Sequence, residues 1–418
     1  MIPYFLVLAT TIFSILSMLG ILGLSTALIV RNSRAPHLSD SLKNMKHKME
    51  LKPDPLPKLS IIVTAKNEEG AIGKTLDSLL LQTYSNLEIL VVDDSSADRT
   101  PEIVRTFEAK NPNVHLEEAG DKPEGWVGKS WPCWKGYERS TGKFLLFLDA
   151  DSIFAPETVE KCVSYVRSEG IDIFSMSPNV ELRGVWAHAT MPFLSGLINL
   201  LYPMRKVNDP KSTRAYVFGA FILVRKEAYE SIGGHEAVKG RIVEDAALAE
   251  NAKKAGYKLR VETGKELFTT EWEYRLRRLY QGLERVMSHS IRNYGYLSLI
   301  DAFLLFMVVL YPLIFAISSA LSISLISGFS AMTMLAIEVG FFSSLVAIIA
   351  MLVTISAELK LVANKISWYP LLYPVGCVIF ILAIISTTFK MKRGQGIEWK
   401  GQAYSQKIAQ EQPSAPAS

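Results

Sequence analysis

The sequence predicts an α/β domain with a mixed, mostly parallel sheet, carried between transmembrane helices at both ends of the chain. Three observations predict it. Of the 418 residues 49% are hydrophobic, and the long apolar runs stand at the two ends. Between them, short apolar runs alternate with segments of helical periodicity, the pattern of parallel strands covered on both faces. Three of the short runs end in polar or acidic residues, where open α/β sheets bind their ligands.

Residues 1–30 read as a transmembrane anchor. Ile2 to Val30 carry no charged side chain, and about 20 apolar residues cross the hydrocarbon core of a bilayer. A cleaved signal peptide is the rival reading. It would begin with positive charge and have a shorter apolar stretch, roughly 7–15 residues, whereas here the basic residues follow the run. Residues 31–57 read as a basic linker, in which Arg31, Arg34, Lys43, Lys46, Lys48 and Lys52 outnumber Asp40, Glu50 and Asp54. Lys and Arg beside a span are retained on the cytoplasmic face and attract anionic lipid. The middle domain is therefore expected in the cytosol, on a multi-pass protein of the cell membrane. Pro53, Pro55 and Pro57 stiffen the approach to it.

The middle domain is expected over 58–298. Residues 59–65 read as a strand, followed by Ile72, Leu76, Leu79 and Leu80 at helical spacing. Residues 87–92 are a second strand. Thr100 and Pro101 open a helix as cap and first residue, with Ile103, Val104 and Phe107 inward. Residues 143–148 are a third strand, and Val159, Cys162, Val163 and Val166 mark another helix. Over 299–390 the apolar runs 302–326, 331–356 and 366–389 read as transmembrane helices, and a polar tail follows at 391–418. One span in front and three behind place the tail outside, whereas Lys390, Lys392 and Arg393 favour inside. The run 366–389, with Pro370 and Pro374, is the candidate for an incomplete crossing. Glu338 is the acid at membrane depth and is expected to face protein.

Several classes are disfavoured. With 45 Lys and Arg against 41 Asp and Glu the net charge is only +4, so no field for nucleic acid is indicated. The cysteines Cys133, Cys162 and Cys377 have no metal or disulfide spacing and suit a reducing cytosol. The segment after the first strand, Ala65-Lys-Asn-Glu-Glu-Gly, lacks both the dinucleotide and the P-loop glycine patterns.

What remains is a set of strand-end residues: Lys66, Asn67 and Glu68, then Asp93, Asp94 and Ser95, then Asp149 and Asp151. Convergent carboxylates suit ribose hydroxyls, a base edge and a divalent ion. Asp149 and Asp151 are candidate ligands of Mg2+ or Mn2+, which is often held by one or two carboxylates and completed by substrate phosphates. Glu244 and Asp245 begin a helix and are either a dipole-favouring cap or a general base. Lys129, in the Trp- and Gly-dense stretch 125–136, is a phosphate partner or a solvated lysine. Arg275, Arg277, Arg278 and Arg285, around Tyr280 and Gln281, suit either a diphosphate or lipid headgroups. The apolar stretch 186–202, beside Arg205 and Lys206, is either core or an interfacial helix that admits a lipid.

Together these residues resemble glycosyltransferase family 2, with its Rossmann-like GT-A fold, over about residues 58–290. The resemblance rests on Ser60-Ile-Ile-Val-Thr-Ala-Lys-Asn-Glu-Glu, Val91-Val-Asp-Asp-Ser-Ser, Asp149-Ala-Asp, Ile232-Gly-Gly and Glu244-Asp245. It implies that Asn67, Glu68, Asp93 and Asp94 line the nucleotide sugar; Lys66 and Lys129 are expected beside them from their places after the first strand and in the stretch 125–136. It also implies that Asp149 and Asp151 serve ribose and metal, and that Asp245 is the catalytic base next to Glu244. A narrower likeness, carried by Gly125-Trp-Val-Gly-Lys-Ser-Trp and Trp399-Lys-Gly, is to the membrane-bound branch with carotenoid-acid and hopanoid-associated glycosyltransferases. The Gln-x-x-Arg-Trp motif of processive synthases is absent, the chain reading Gln281-Gly-Leu-Glu-Arg285-Val there. The likeness implies inverting, metal-dependent transfer of one sugar from a nucleotide-sugar donor, with a UDP-sugar favoured, to a lipid acceptor at the cytosolic membrane face. A polyprenyl-phosphate sugar synthase, a polysaccharide synthase and a non-catalytic nucleotide-binding protein are the alternatives.

Overall fold

The computed structural model describes residues 4–49, 56–272, 275–294, 297–325, 329–363, 368–399 and 402–404. Lys52, Pro53, Pro55, Lys400, Gly401 and the tail beyond 404 lie outside them. In chain order the elements are α1 (Tyr4–Ser33), α2 (Leu38–Met49), β1 (Leu59–Ala65), α3 (Ile72–Leu80), β2 (Leu87–Asp93), α4 (Thr100–Glu108), β3 (Val114–Glu118), α5 (Ser130–Arg139) and β4 (Phe144–Asp149). There follow β5 (Ser152–Phe154), α6 (Thr158–Glu169), β6 (Ile173–Ser177), β7 (Asn179–Leu182), α7 (Gly184–Leu201), α8 (Met204–Val207), β8 (Phe221–Arg225), α9 (Lys226–Ser231), α10 (Glu244–Lys254), β9 (Leu259–Thr263) and β10 (Phe268–Trp272). The remainder is α11 (Leu276–Tyr294), α12 (Ser298–Leu305), α13 (Tyr311–Leu325), α14 (Ala331–Ala363), α15 (Tyr373–Lys392), β11 (Ile397–Trp399) and β12 (Gln402–Tyr404).

Two compact units result. The sheet unit holds Ala35–Glu181 and Tyr202–Trp272. Its seven strands run in the order β3-β2-β1-β4-β8-β6-β9, and β8 alone is antiparallel to its neighbours β4 and β6. The mostly parallel sheet matches the sequence pattern. Its alternation explains the short apolar runs: Ile61, Val63, Val91, Leu146 and Leu148 enter one core cluster, while Ile62, Leu90, Val92, Leu145 and Phe147 enter the other. Each such side chain contributes about 1.5–3 kcal/mol by leaving water. β5, β10 and β7 make a second, smaller sheet. α2 lies inside the segment expected as a linker. Leu38 there is fully buried, the Pro36 carbonyl accepts the Thr263 N–H at 2.9 Å, and Ser41 Oγ donates to Glu262 at 3.0 Å.

The apolar unit holds Met1–Arg34, Leu182–Leu201 and Glu273–Ala403. Four of its helical stretches are long and apolar enough to cross a membrane: Tyr4–Ser33, Ser298–Ser324, Ala331–Ala363 and Tyr369–Lys392. The second includes a π-helical turn at Phe306–Leu310. In the last, Pro370 falls in a short 3-10 turn and Pro374 in the first turn of α15, where a missing N–H breaks no helical bond. The apolar stretch Tyr369–Lys392 is 24 residues long and overlaps the run 366–389 suspected of an incomplete crossing, whose first two residues lie outside the described ones. Hydroxyl contacts join the helices, as where Ser14 Oγ meets the Gly340 carbonyl at 2.9 Å and Ser344 Oγ at 2.6 Å.

α7 belongs to this unit, although the chain on either side of it builds the sheet. It carries no Asp, Glu, Lys or Arg, and it packs on α1, α14 and α15. The His188 ring stacks on Tyr369 at 3.6 Å, and α15 approaches so closely that a Cβ at Gly376 would collide with the Ala189 carbonyl. Glu338 corrects the expectation for the buried acid: it is exposed on α14. The buried acid of α14 is Glu358, beyond the end of the apolar run 331–356. α14 continues through it, and its carboxylate accepts Asn32 Nδ2 at 2.8 Å and Ser195 Oγ at 2.7 Å.

Candidate active site

β1, β2 and β4 end level with one another, since Ala65 pairs with Asp93 and Thr64 with Asp149. The loops leaving β1 and β2 each contain a non-glycine residue in the left-handed region, Asn67 at φ 55° and Ser95 at φ 58°. They are clasped together. Asn67 Oδ1 accepts the Ala97 N–H at 2.8 Å, while Ser96 Oγ and Thr100 Oγ1 accept the N–H groups of Asn67 and Glu68 at 2.9 and 2.8 Å. The Asn67 amide therefore shapes the loop. Asp93 Oδ2 accepts the Ser96 N–H at 3.0 Å, and its Oδ1 is buried with no partner among the described residues, an acceptor left for a ligand or water.

Asp94 Oδ2 lies 3.4 Å from both Lys66 and Lys122. Lys122 is a residue that sequence reasoning missed, because nothing marks it within its polar stretch. It also donates to the Gly128 carbonyl at 2.8 Å. Burial lowers its pKa, Asp94 opposes that, and Lys66 adds to the lowering.

Beyond β4 the separated motifs meet at one ammonium. Lys129, the residue that precedes α5, donates to Asp149 Oδ1 at 2.9 Å and to the Gly219 carbonyl at 2.9 Å, and stands 3.7 Å from Glu244. Glu244 is 2% exposed, and the Lys129 ammonium beside it is opposite in charge. Burial works against the charge on Lys129. Asp149, Glu244, Cys133 and Asp245 outweigh it and hold the pKa well above the ordinary lysine value, so the ammonium is permanent at neutral pH. Asp245 Oδ1 accepts the Ala246 N–H at 2.7 Å. Its other oxygen packs on Gly219, where any Cβ would stand 2.5 Å away, so position 219 takes no larger residue without moving Asp245.

Asp151 accepts Thr270 Oγ1 at 3.2 Å, which ties it to β10. Among the described residues no group of three or more His, Cys, Asp or Glu side chains is arranged to hold a metal. Asp149 and Asp151 nevertheless offer the hard oxygen donors that Mg2+ or Mn2+ accepts when phosphates supply its remaining ligands. Behind Lys129 an aromatic ladder of Trp126, Trp131, Trp134, Tyr137 and Tyr229 has ring spacings from 4.8 to 6.1 Å. It ends at His235, bonded to Tyr229 Oη at 2.8 Å. Burial and then Lys129 push the His235 pKa down to about 3, which keeps the ring neutral and structural. A hollow of about 610 Å3 opens at the opposite end of β4, against Lys58, Lys143, Phe144 and Arg225, and includes none of the expected site residues.

Residues 60–233 match the family model for glycosyl transferase family 2. Over 196 residues the chain is 30% identical to the 4,4'-diaponeurosporenoate glycosyltransferase of Staphylococcus haemolyticus, covering 46% of this chain and 50% of that protein. Over 199 residues it is 30% identical to the protein of the same description from Staphylococcus aureus, with the same coverage. The chain thus spans about half the length of the curated relatives it matches. Among solved structures, the mannosyltransferase PcManGT of Pyrobaculum calidifontis, in complex with GDP-Man and Mn2+, is 18% identical with a TM-score of 0.48, over 91% of this chain and 98% of that one.

Proposed function

We propose, from the premise that residues 60–233 are a glycosyl transferase family 2 domain, that the chain transfers a single sugar from a nucleotide-sugar donor to a lipid-like acceptor. The catalytic part falls within 58–298 and works at the cytosolic face of the cell membrane, where a soluble donor meets a lipid. The supporting observation is the Lys129 junction, which joins Asp149 at the end of β4 to Glu244 at the start of α10 beside Asp245. Donor-side and acceptor-side carboxylates are thereby held in one cluster.

Asp93, with its unpartnered buried oxygen, and Asp94, between Lys66 and Lys122, suit the donor's nucleoside, for which a UDP-sugar is favoured; Asn67 and Glu68 support that wall. Asp149 and Asp151 would hold Mg2+ or Mn2+, which when bound neutralises a departing diphosphate. Lys129 supplies a fixed positive charge beside the same group. Asp245 takes the proton of the acceptor hydroxyl as its oxygen attacks the anomeric carbon opposite the leaving diphosphate, so configuration inverts. The curated relatives are described by a carboxylate, diaponeurosporenoate, and a lipid carboxyl group is the other acceptor class. It is ionised at neutral pH and needs no base.

Membranes carrying the full chain, supplied with UDP- and GDP-sugars and a total lipid extract, test the reading by mass analysis of the products. One lipid species gaining one hexose from a UDP donor is expected. Long polymer would indicate a polysaccharide synthase and labelled polyprenyl phosphate the phosphate-acceptor enzyme. Nucleotide binding with no sugar moved onto any lipid would sink the proposal.

A further inference from the structure

The basic residues of α11 take no part in the chemistry above. Leu279, Leu283, Met287 and Ile291 of this helix are buried at four-residue spacing, so one face packs and the other carries charge. α11 packs beside α15, and a groove of about 680 Å3 is lined by residues of the two. Arg277, Tyr280 and Gln281 contribute its polar side at i, i+3 and i+4 spacing, which sets them on one face of α11. Leu276, Ile379 and Leu382 contribute its apolar side. Leu382 is 51% exposed and belongs to a helix apolar enough to cross a membrane.

The same lining contains Glu284 and Lys390. Glu284 is 1% exposed and its two oxygens each accept Lys390 Nζ at 2.7 Å, with Ser386 Oγ at 2.5 Å from one of them. Among the described residues this carboxylate is the only acid of the lining, and Lys390 already matches it. Arg277, which is exposed, therefore brings a positive charge that no acid among the described lining residues balances. A groove with an unbalanced cation and two hydrogen-bonding side chains on one wall, and exposed leucine of a membrane-length helix on the other, is complementary to an amphiphile.

We propose that this groove binds a membrane phospholipid with an anionic headgroup. Its phosphate is held by Arg277 with help from Tyr280 and Gln281, and an acyl chain lies along Ile379 and Leu382. Free phosphate shares the headgroup chemistry and lacks the chain. The test is the unfolding midpoint of the full chain in detergent, measured with dioleoylphosphatidylglycerol, dioleoylphosphatidylcholine or glycerol 3-phosphate at equal concentration, because a ligand that binds only the folded state raises it. Phosphatidylglycerol should raise the midpoint by several degrees and the other two should have little effect. Arg277→Gln should lose most of that rise, whereas Lys392→Gln, at the same end of α15 but outside the lining, should keep it. An equal rise with phosphatidylcholine or with glycerol 3-phosphate, or a full rise in Arg277→Gln, would overturn the proposal.

Discussion

Glu244 in the sheet unit and Glu358 in the apolar unit are almost equally buried, at 2% and 1% exposure, yet they are surrounded differently. Glu244 lies beside the Lys129 ammonium, which it shares with Asp149, and those partners keep one-fifth and two-fifths of their side-chain surface open. Glu358 is held by an amide on α1 and a hydroxyl on α7. In the first setting the charges are matched across an open edge that a phosphate and a hydroxyl can enter. In the second the acid joins three helices. Burial of an acid therefore does not distinguish a site from a joint, whereas the side chains it brings together do.

The difference can be broken from the site side first. Asp245→Asn should lower transfer to a hydroxyl acceptor by about 10²–10⁴-fold while donor affinity, measured by nucleotide titration, stays close to that of the wild type. If the acceptor is a carboxylate the loss should be far smaller, so one variant assayed on both classes identifies the acceptor. Lys129→Met should remove the ammonium beside buried Glu244 and Asp149 and cost about 3–5 kcal/mol of stability, read from unfolding of the full chain, along with activity. Restoring part of that stability with Glu244→Gln on top would show that the lost partner is the cause.

The joint should give less. Glu358→Leu should cost about 1–3 kcal/mol by orphaning Asn32 and Ser195, with turnover per folded molecule unchanged. A large loss of turnover in molecules shown to be folded would make Glu358 part of the chemistry and end the comparison. Gly219→Ala should displace Asp245 and slow transfer roughly tenfold or more, as small misplacements of reacting groups do, with little change in unfolding midpoint.

The smallest effect concerns pH, at the far end of the sheet. Burial alone would raise the Glu88 carboxyl, but hydrogen bonds from Lys58, Ser60 and Thr141 outweigh it and bring its pKa down to about 2. The folded value is below the unfolded one, so the stability it contributes is fully present above about pH 4.5 and is lost as pH falls towards 2. Glu88→Gln should flatten the stability profile in that window and leave it unchanged in slope near neutrality.

The strands and apolar helices were legible because each is written locally. Runs such as Leu59-Ser-Ile-Ile-Val-Thr-Ala pack on both faces of a sheet, and a charge-free run of membrane length needs no partner to be recognised. Asp93, Asp94, Asp149 and Asp151 were legible as candidates because a parallel strand exposes whatever follows it. Lys122 and Gly219 were not, since their roles come from neighbours distant in sequence. Glu338 was misplaced for the same reason: helix periodicity does not say which of Glu338 and Glu358 faces the other helices. Placing α7 needed the fold as well: its apolar run read as core or as an interfacial helix, and it packs instead among the apolar helices α1, α14 and α15.

The sequence by itself determined where strands end and which residue types stand there, and which stretches are apolar enough for a bilayer, since hydrophobicity and spacing are properties of the chain alone. Only the tertiary structure decided that Lys129 joins Asp149 to Glu244, that Gly219 leaves room for Asp245, and that Glu358 faces inward. Those depend on which segments are brought within a few ångströms, and short-range contact between distant segments is not encoded at any single position.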